Sequence, residues 1–93
     1  MSSTEVMKNM VAAGDTSEPI HIKGVGSCRL EFNNTVGTVI LEYREDEVSG
    51  WLIDSSYSAS TGRMKIDDPG GAWYRWRMVA FTSGVGVQGR IDK

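Results

Sequence analysis

This sequence contains very little cysteine, histidine and proline: one, one and two residues among 93. A lone Cys28 can form neither an internal disulfide nor a cysteine-based zinc site. No apolar run reaches the roughly 18 residues that a membrane helix needs. The first residues lack the basic start and apolar run of a signal peptide, so we expect a protein made in the cytoplasm, with no membrane partner.

An excess of charge of one sign is also lacking. Ten basic residues stand against 12 acidic ones, for a formal net charge of −2. Nucleic-acid binders of this size usually carry a basic surplus concentrated on one face. We therefore expect no nucleic-acid partner.

The residue combinations that carry out catalysis are missing as well. A catalytic cysteine needs a neighbouring base, and the only histidine is His21. His21 alternates with Ile20 and Ile22 and so faces away from them. We interpret Cys28 as a small buried strand residue. The acidic runs 45–47 and 67–68 are typical of solvated turns. Residues 84–89 match a dinucleotide-binding pattern, but too few residues follow to form the helix that it requires. The sequence predicts no enzyme, no catalytic or metal-binding residue and no cofactor.

What the sequence does have is glycine, at 11 positions, and apolar residues that alternate with polar ones. Such alternation is typical of half-buried strands. Turn signals at 24–26, 33–37, 45–50, 54–62, 67–71 and 82–84 separate about seven short strands. We predict an all-β fold over residues 19–93, an antiparallel β-sandwich that is Ig-like or jelly-roll-like.

Residues 1–18 differ from this pattern. Val6, Met7 and Met10 have near-helical spacing, but the segment is short for a helix, and Gly14-Asp15-Thr16-Ser17 interrupts it. We predict an extended N-terminal arm that becomes ordered against another surface.

The strand that follows Gly71 places one tryptophan and two arginines on a single face. Trp73, Arg75 and Arg77 alternate with Tyr74 and Trp76, which we assign to the core. Tryptophan, tyrosine and arginine dominate the binding hot spots of protein interfaces, and exposed aromatic rings also bind sugars. Protein contact, carbohydrate contact and plain surface all remain open for this face.

Several short motifs resemble those of small β-sandwich virion proteins of tailed bacteriophages. The strand Gly37-Thr38-Val39-Ile40-Leu41-Glu42-Tyr43-Arg44 is similar to their G-x-V-x-L-x-Y-R strand. Trp51-Leu52-Ile53-Asp54, Tyr74-Arg75 and Thr82-Ser83-Gly84 follow in the same order. The resemblance spans residues 14–92, and Val48-Ser49-Gly50 stands where the family usually has Asp-Gly before the tryptophan.

The resemblance implies a capsid decoration or cement protein, which binds the major capsid protein and reinforces the shell of the virion. It also implies a homo-oligomer, with a trimer favoured, and an arm that grips the shell. Partner-binding residues would then be Trp73, Arg75, Arg77, Val6, Met7 and Met10. The alternative is a tail- or fibre-associated sandwich that binds a host glycan or another tail protein. On the cement interpretation, deletion of residues 1–13 leaves a folded sandwich that binds shells poorly.

Overall fold

The computed structural model describes residues 5–93, and all the regular structure in this range is β. The expectation of an all-β fold is therefore confirmed. The six strands are β1 (Glu5–Met10), β2 (Ile20–Asn33), β3 (Val36–Arg44), β4 (Leu52–Tyr57), β5 (Met64–Ser83) and β6 (Gly86–Asp92).

The strands form one antiparallel sheet in the order β1-β6-β2-β5-β3-β4. The predicted sandwich of about seven strands needs two facing sheets, and residues 5–93 form a single sheet of six strands. The strands are antiparallel, as the alternation predicts. The predicted arrangement of two facing sheets is not confirmed.

Two of the predicted turns are irregularities inside long strands, which explains much of the difference in strand number. Pairing passes from Ile22–Ala72 to Gly24–Asp68, so that one residue of β2 lies opposite three residues of β5. Gly71 has a φ of 84° and donates its N–H to Asp68 Oδ1 at 3.0 Å. This bulge accommodates the glycines without reversing the chain, because the extra residues loop out of the ladder. The predicted breaks at 24–26 and 67–71 are wrong, and β2 and β5 each run through them.

The structure places parts of the predicted arm against the sheet of the same chain. Residues 5–10 form β1, which pairs with β6 along its whole length, and Met10 is fully buried. Residues 14–17 then run beside β5, where Gly14 N–H donates to Met78 O at 2.7 Å and Ser17 N–H to Trp76 O at 2.9 Å. The segment is extended because it satisfies its backbone groups against its own sheet. Residues 1–4 of the expected arm lie outside the described residues.

Trp76 fixes the curvature of the sheet. It is fully buried, and its indole Nε1 donates to Arg90 O on β6 at 3.1 Å, although β5 and β6 are not neighbours in the sheet. Tyr57 on β4 packs edge-on against the same indole, with ring centroids 5.9 Å apart. One face of the sheet therefore curls around a shared core, and the opposite face carries the remaining side chains.

We expect deletion of residues 1–13 to unfold the protein or to lower its free energy of unfolding by more than about 3 kcal/mol, because it removes β1 and the buried Met10. Met10→Ala alone costs about 2–5 kcal/mol. Met7→Ala, which truncates an exposed side chain on the same strand, costs less than about 0.5 kcal/mol. Urea denaturation measures all three. A truncated protein with undiminished unfolding free energy would contradict the integrated strand and restore the arm.

Candidate functional site

Trp73, Arg75 and Arg77 project from the face of β5 that is opposite to the core; we call these three residues the Trp–Arg face. They alternate with Tyr74 and Trp76, which are buried, whereas the face residues are each partly exposed. The predicted division of this strand into two faces is confirmed.

A buried carboxylate holds the two arginines in place. Glu42 on β3 lies directly opposite Arg75 in the ladder, and its side chain is only 3% exposed. Its Oε1 accepts from Arg75 Nε at 3.0 Å, and its Oε2 accepts from Arg77 at 3.3 Å. Each carboxylate oxygen therefore has a charged donor, which is the condition for burying a charge without a large penalty.

Trp51, the residue just before β4, lies beside the Trp–Arg face and contacts one of its arginine side chains. The Arg75 guanidinium lies 4.2 Å from the centroid of the Trp51 ring, and the Arg44 guanidinium lies 4.6 Å from it. Both distances are within the range of cation–π attraction. Arg75 therefore joins the buried Glu42 to the exposed loop that carries Trp51, and this ties the loop to the sheet.

Trp73 and its neighbour on β2 complete the surface. His21 is paired with Trp73 in the ladder, and the two rings meet edge to face with centroids 5.1 Å apart. His21 faces away from the buried Ile20 and Ile22, as predicted. Packing against Trp73 leaves His21 half-buried and restricts both rings.

An exposed isoleucine extends the apolar part of this surface. Ile53 on β4 is paired with Glu42 and is 65% exposed. The surface therefore combines indole, guanidinium and aliphatic groups, the mixture that is enriched at the centres of protein interfaces.

The sequence analysis missed Glu42 and Arg44 as parts of this surface. The available signal was an acidic residue in the middle of the apolar run 39–43, since a charge there needs a partner if its strand lies inside a sheet. Which arginines pair with it depends on the register between β3 and β5. That register involves residues more than 30 positions apart in the sequence.

The structure separates the predicted arm residues from the Trp–Arg face. Met10 is fully buried in the core, whereas Val6 is only partly buried and packs against that core. Met7 is exposed on β1, opposite Arg90 on β6. Binding of a partner by Val6, by Met7 or by the Trp–Arg face stays a prediction.

Cys28 is buried, as predicted, and its environment disfavours ionisation. Burial is the larger cause, and the negative charge of Asp54 the smaller one, of a rise in the pKa of the Cys28 thiol to about 11. Nucleophilic cysteines have the opposite shift, because the reactive form is the thiolate.

Within residues 5–93, no group of three or more His, Cys, Asp or Glu side chains is placed to hold a metal ion. Over the same range, no helix is long and apolar enough to cross a membrane.

Comparison with protein-family models, with curated proteins and with solved structures finds no match to this chain. The similarity to phage virion proteins therefore depends on the short motifs alone.

We expect Glu42→Gln to lower the free energy of unfolding by about 2 kcal/mol, because it leaves two arginines without a buried counter-charge. Arg77→Ala costs less, since that side chain is 43% exposed and Glu42 keeps Arg75. Urea denaturation with an unchanged m-value measures both. The matched control is Glu45→Gln in the exposed loop, and equal effects of Glu42→Gln and Glu45→Gln would contradict the bracing role.

The raised pKa of Cys28 predicts that stability falls at alkaline pH. In the unfolded chain the thiol ionises near its ordinary value of 9.0, whereas the folded chain keeps the proton until about pH 11. Between these values the unfolded state loses its proton first, so the free energy of unfolding decreases as pH rises, by up to roughly 3 kcal/mol. Urea denaturation at several pH values from 8 to 11, compared with Cys28→Ala, measures this loss. Identical slopes for the two proteins would show that Cys28 is not the cause.

Proposed function

We propose that this chain is a non-enzymatic structural protein of a tailed-bacteriophage virion, which binds the major capsid protein and stabilises the shell. The motif similarity supports the virion assignment, and the Trp–Arg face supports binding to protein. The proposal includes self-association, with a trimer as the favoured state.

The observation that carries this proposal is the bracing of the Trp–Arg face by the buried Glu42. Arg75 is 22% exposed, and it is held by the carboxylate and by contact with Trp51. Side chains that are already ordered lose little conformational entropy when a partner binds. Tryptophan and arginine also account for a large share of the strongest contacts in protein interfaces.

The edges of the sheet are less suited to binding than this face. Lys8 on β1 lies on the same side of the strand as Val6 and Met10, so that a charge interrupts the apolar side of that edge strand. At the other edge, pairing shifts between Leu41–Ser55 and Glu42–Ile53, which leaves Asp54 in a bulge. Inward-facing charges and bulges both disfavour the addition of another strand. Binding through a face is therefore the better-supported mode.

The contacts that the Trp51 ring already makes favour a protein partner over a glycan. A sugar binds by stacking on an aromatic ring, and two guanidiniums already contact the Trp51 ring. Trp73 is packed against His21. The surface lacks a pair of unobstructed rings, so we keep glycan binding as the alternative that the experiment distinguishes.

Stabilisation of the shell follows from binding alone. A protein that binds the assembled lattice and not the free capsid subunits shifts the equilibrium toward assembly by mass action. No chemical step is needed, and the effect saturates when every lattice site is filled.

The experiment mixes the purified protein with expanded shells that lack it, prepared from the phage that encodes it, and then pellets the shells. We expect saturable binding at a stoichiometry that matches the capsid lattice, with a higher shell melting temperature. Trp73→Ala weakens binding about 30-fold or more, the effect of losing a central interface tryptophan. Arg77→Ala also weakens binding.

The control is Val85→Ala, which truncates an exposed side chain in the turn between β5 and β6. Thermal unfolding of each variant shows that it is folded before shells are added. Absence of binding by the unmodified protein would overturn the shell assignment, and a glycan array would then test the tail alternative. Full binding by Trp73→Ala would overturn the role of the Trp–Arg face.

A further inference from the structure

A polar cavity of about 350 Å³ opens on the outer face of the sheet, which is the side opposite to the core. Its lining comes from the middle of β2, the end of β6 and the residue before β5; the residues are Ser27, Cys28, Arg29, Arg63, Arg90 and Asp92. The cavity shares no residue with the Trp–Arg face, and the proposed function does not use it.

Strand alternation brings four of these side chains to the same face. Ser27 and Arg29 lie on either side of Cys28, which belongs to the core. Arg90 and Asp92 likewise lie on either side of a buried isoleucine. In the ladder between β2 and β6, Ser27 is opposite Asp92 and Arg29 is opposite Arg90. Because partners in a ladder share a face, the four side chains project together, away from the core.

Three guanidinium groups meet at this cavity. Arg29 and Arg90 are direct partners in the ladder, and Arg63, which immediately precedes Met64 at the start of β5, lines the same cavity. Like charges directly opposite each other destabilise a sheet. A local rule that is broken in this way is typical of a functional site.

Two glutamates outside the lining hold two of the guanidiniums in place. Glu5 Oε1 accepts from Arg90 Nε at 3.1 Å and from Arg90 Nη2 at 2.9 Å. Glu31 Oε1 lies 3.2 Å from Arg29 Nη2. A ligand in the cavity would lie against the guanidiniums themselves, whereas these two carboxylates are not part of the cavity wall. Coulomb attraction to the nearer charges therefore favours an anion.

Arg63 leaves positive charge uncompensated at the cavity. It makes no hydrogen bond or ion pair within residues 5–93. Asp92 is the one carboxylate of the lining, and it approaches Arg90 only at 3.8 Å. Lys65, which lies opposite Ser27 on β5, is offset by its neighbour Asp67 at 3.8 Å. The lining itself thus presents three cations and one anion.

The Ser27 hydroxyl independently indicates a ligand. Ser27 is only 8% exposed, and its hydroxyl forms no hydrogen bond with any residue of the described range. Burial of a hydroxyl is unfavourable unless it has a partner, so nearly all buried polar side chains have one. Since Ser27 lines the cavity, an acceptor bound there would satisfy it.

These groups fit a phosphate group better than a carboxylate. A phosphate monoester carries a charge of about −1.5 to −2 at pH 7 and has three strong acceptor oxygens. The planar fork of a guanidinium matches phosphate oxygens, and the hydroxyl adds a neutral donor. At about 30 Å³ for each water molecule, the cavity corresponds to about twelve waters, which is ample for the five heavy atoms of phosphate.

We propose that this cavity binds a dianionic phosphate group, with Arg29, Arg63 and Arg90 supplying the positive charge and the Ser27 hydroxyl donating a hydrogen bond. Asp92 repels the anion and so limits the affinity. A phosphodiester has a single negative charge and fits less well. The inference does not depend on the proposed function.

The test titrates inorganic phosphate into the isotope-labelled full chain at pH 7.5, with the ionic strength held constant by sodium chloride. NMR follows the side-chain Nε–H signals of Arg29, Arg63 and Arg90 and the backbone N–H of Ser27. We expect saturable shifts at these four residues. Dimethyl phosphate, a singly charged diester, binds at least severalfold more weakly. Absence of saturation by phosphate, or equal affinity for dimethyl phosphate, would overturn the proposal.

A second titration uses N-acetyl-phosphoserine methylamide and distinguishes the source of the phosphate. Tighter binding of this compound than of inorganic phosphate supports a phosphate group carried by a larger molecule. Tighter binding of inorganic phosphate supports the free ion. Saturation at the same four residues by either compound supports the site itself.

Three variants separate binding from folding. Arg63→Gln removes the guanidinium that has no counter-charge and weakens phosphate binding about tenfold or more. Ser27→Ala weakens binding about threefold, yet it does not lower the thermal unfolding midpoint, because it removes a buried hydroxyl that has no partner in the chain. Asp92→Asn strengthens binding severalfold, because it removes the repelling charge.

The matched control is Lys23→Gln, which removes one exposed positive charge from β2 outside the cavity and leaves phosphate binding unchanged. Equal affinities in Arg63→Gln and Lys23→Gln would show that phosphate responds only to the overall charge of the protein, which would overturn the site. Undiminished binding by Ser27→Ala would overturn the role of the hydroxyl.

Discussion

The contact between Trp76 and Gly89 is the constraint on which the rest of the structure depends. A β-carbon at position 89 would lie 2.6 Å from Cδ1 of Trp76 and 3.1 Å from Cε of Met10. The missing side chain lets the indole cross the core from β5 to β6, where it donates to the Arg90 carbonyl. One large buried side chain therefore spans strands that are not neighbours in the sheet, and a single sheet can enclose its own core.

On the opposite face of the sheet, paired charges hold the side chains in position, whereas packing of a large side chain does so in the core. Glu42 is the buried acid of this face, and Arg75 and Arg77 satisfy its two oxygens. Removing the acid leaves two arginines without their counter-charge, and removing one arginine leaves one oxygen of Glu42 without a charged donor. This network is therefore more sensitive to substitution than an exposed ion pair. The same bracing gives the Trp–Arg face its order, which links the stability of the sheet to the surface that we propose for binding.

Much of the local structure follows from the sequence. Alternation identifies the buried side of β5, the burial of Cys28 and the outward orientation of His21, because the period of two is a local property of an extended chain. The same reasoning failed at 24–26 and 67–71. Glycine and aspartate there are compatible with a turn and with a bulge alike, and only the partner strand decides between the two. The division into faces was thus predictable, whereas the number of strands was not.

The sequence by itself determined that the chain is all-β, which residues of β5 face the core and which form a Trp–Arg surface. Tertiary structure alone decided that residues 5–10 complete the sheet as β1 and that Glu42 meets Arg75 and Arg77. The physical reason is the range of the interactions. Backbone alternation depends on adjacent residues, but strand order, register and curvature depend on pairing and packing between residues far apart in the chain.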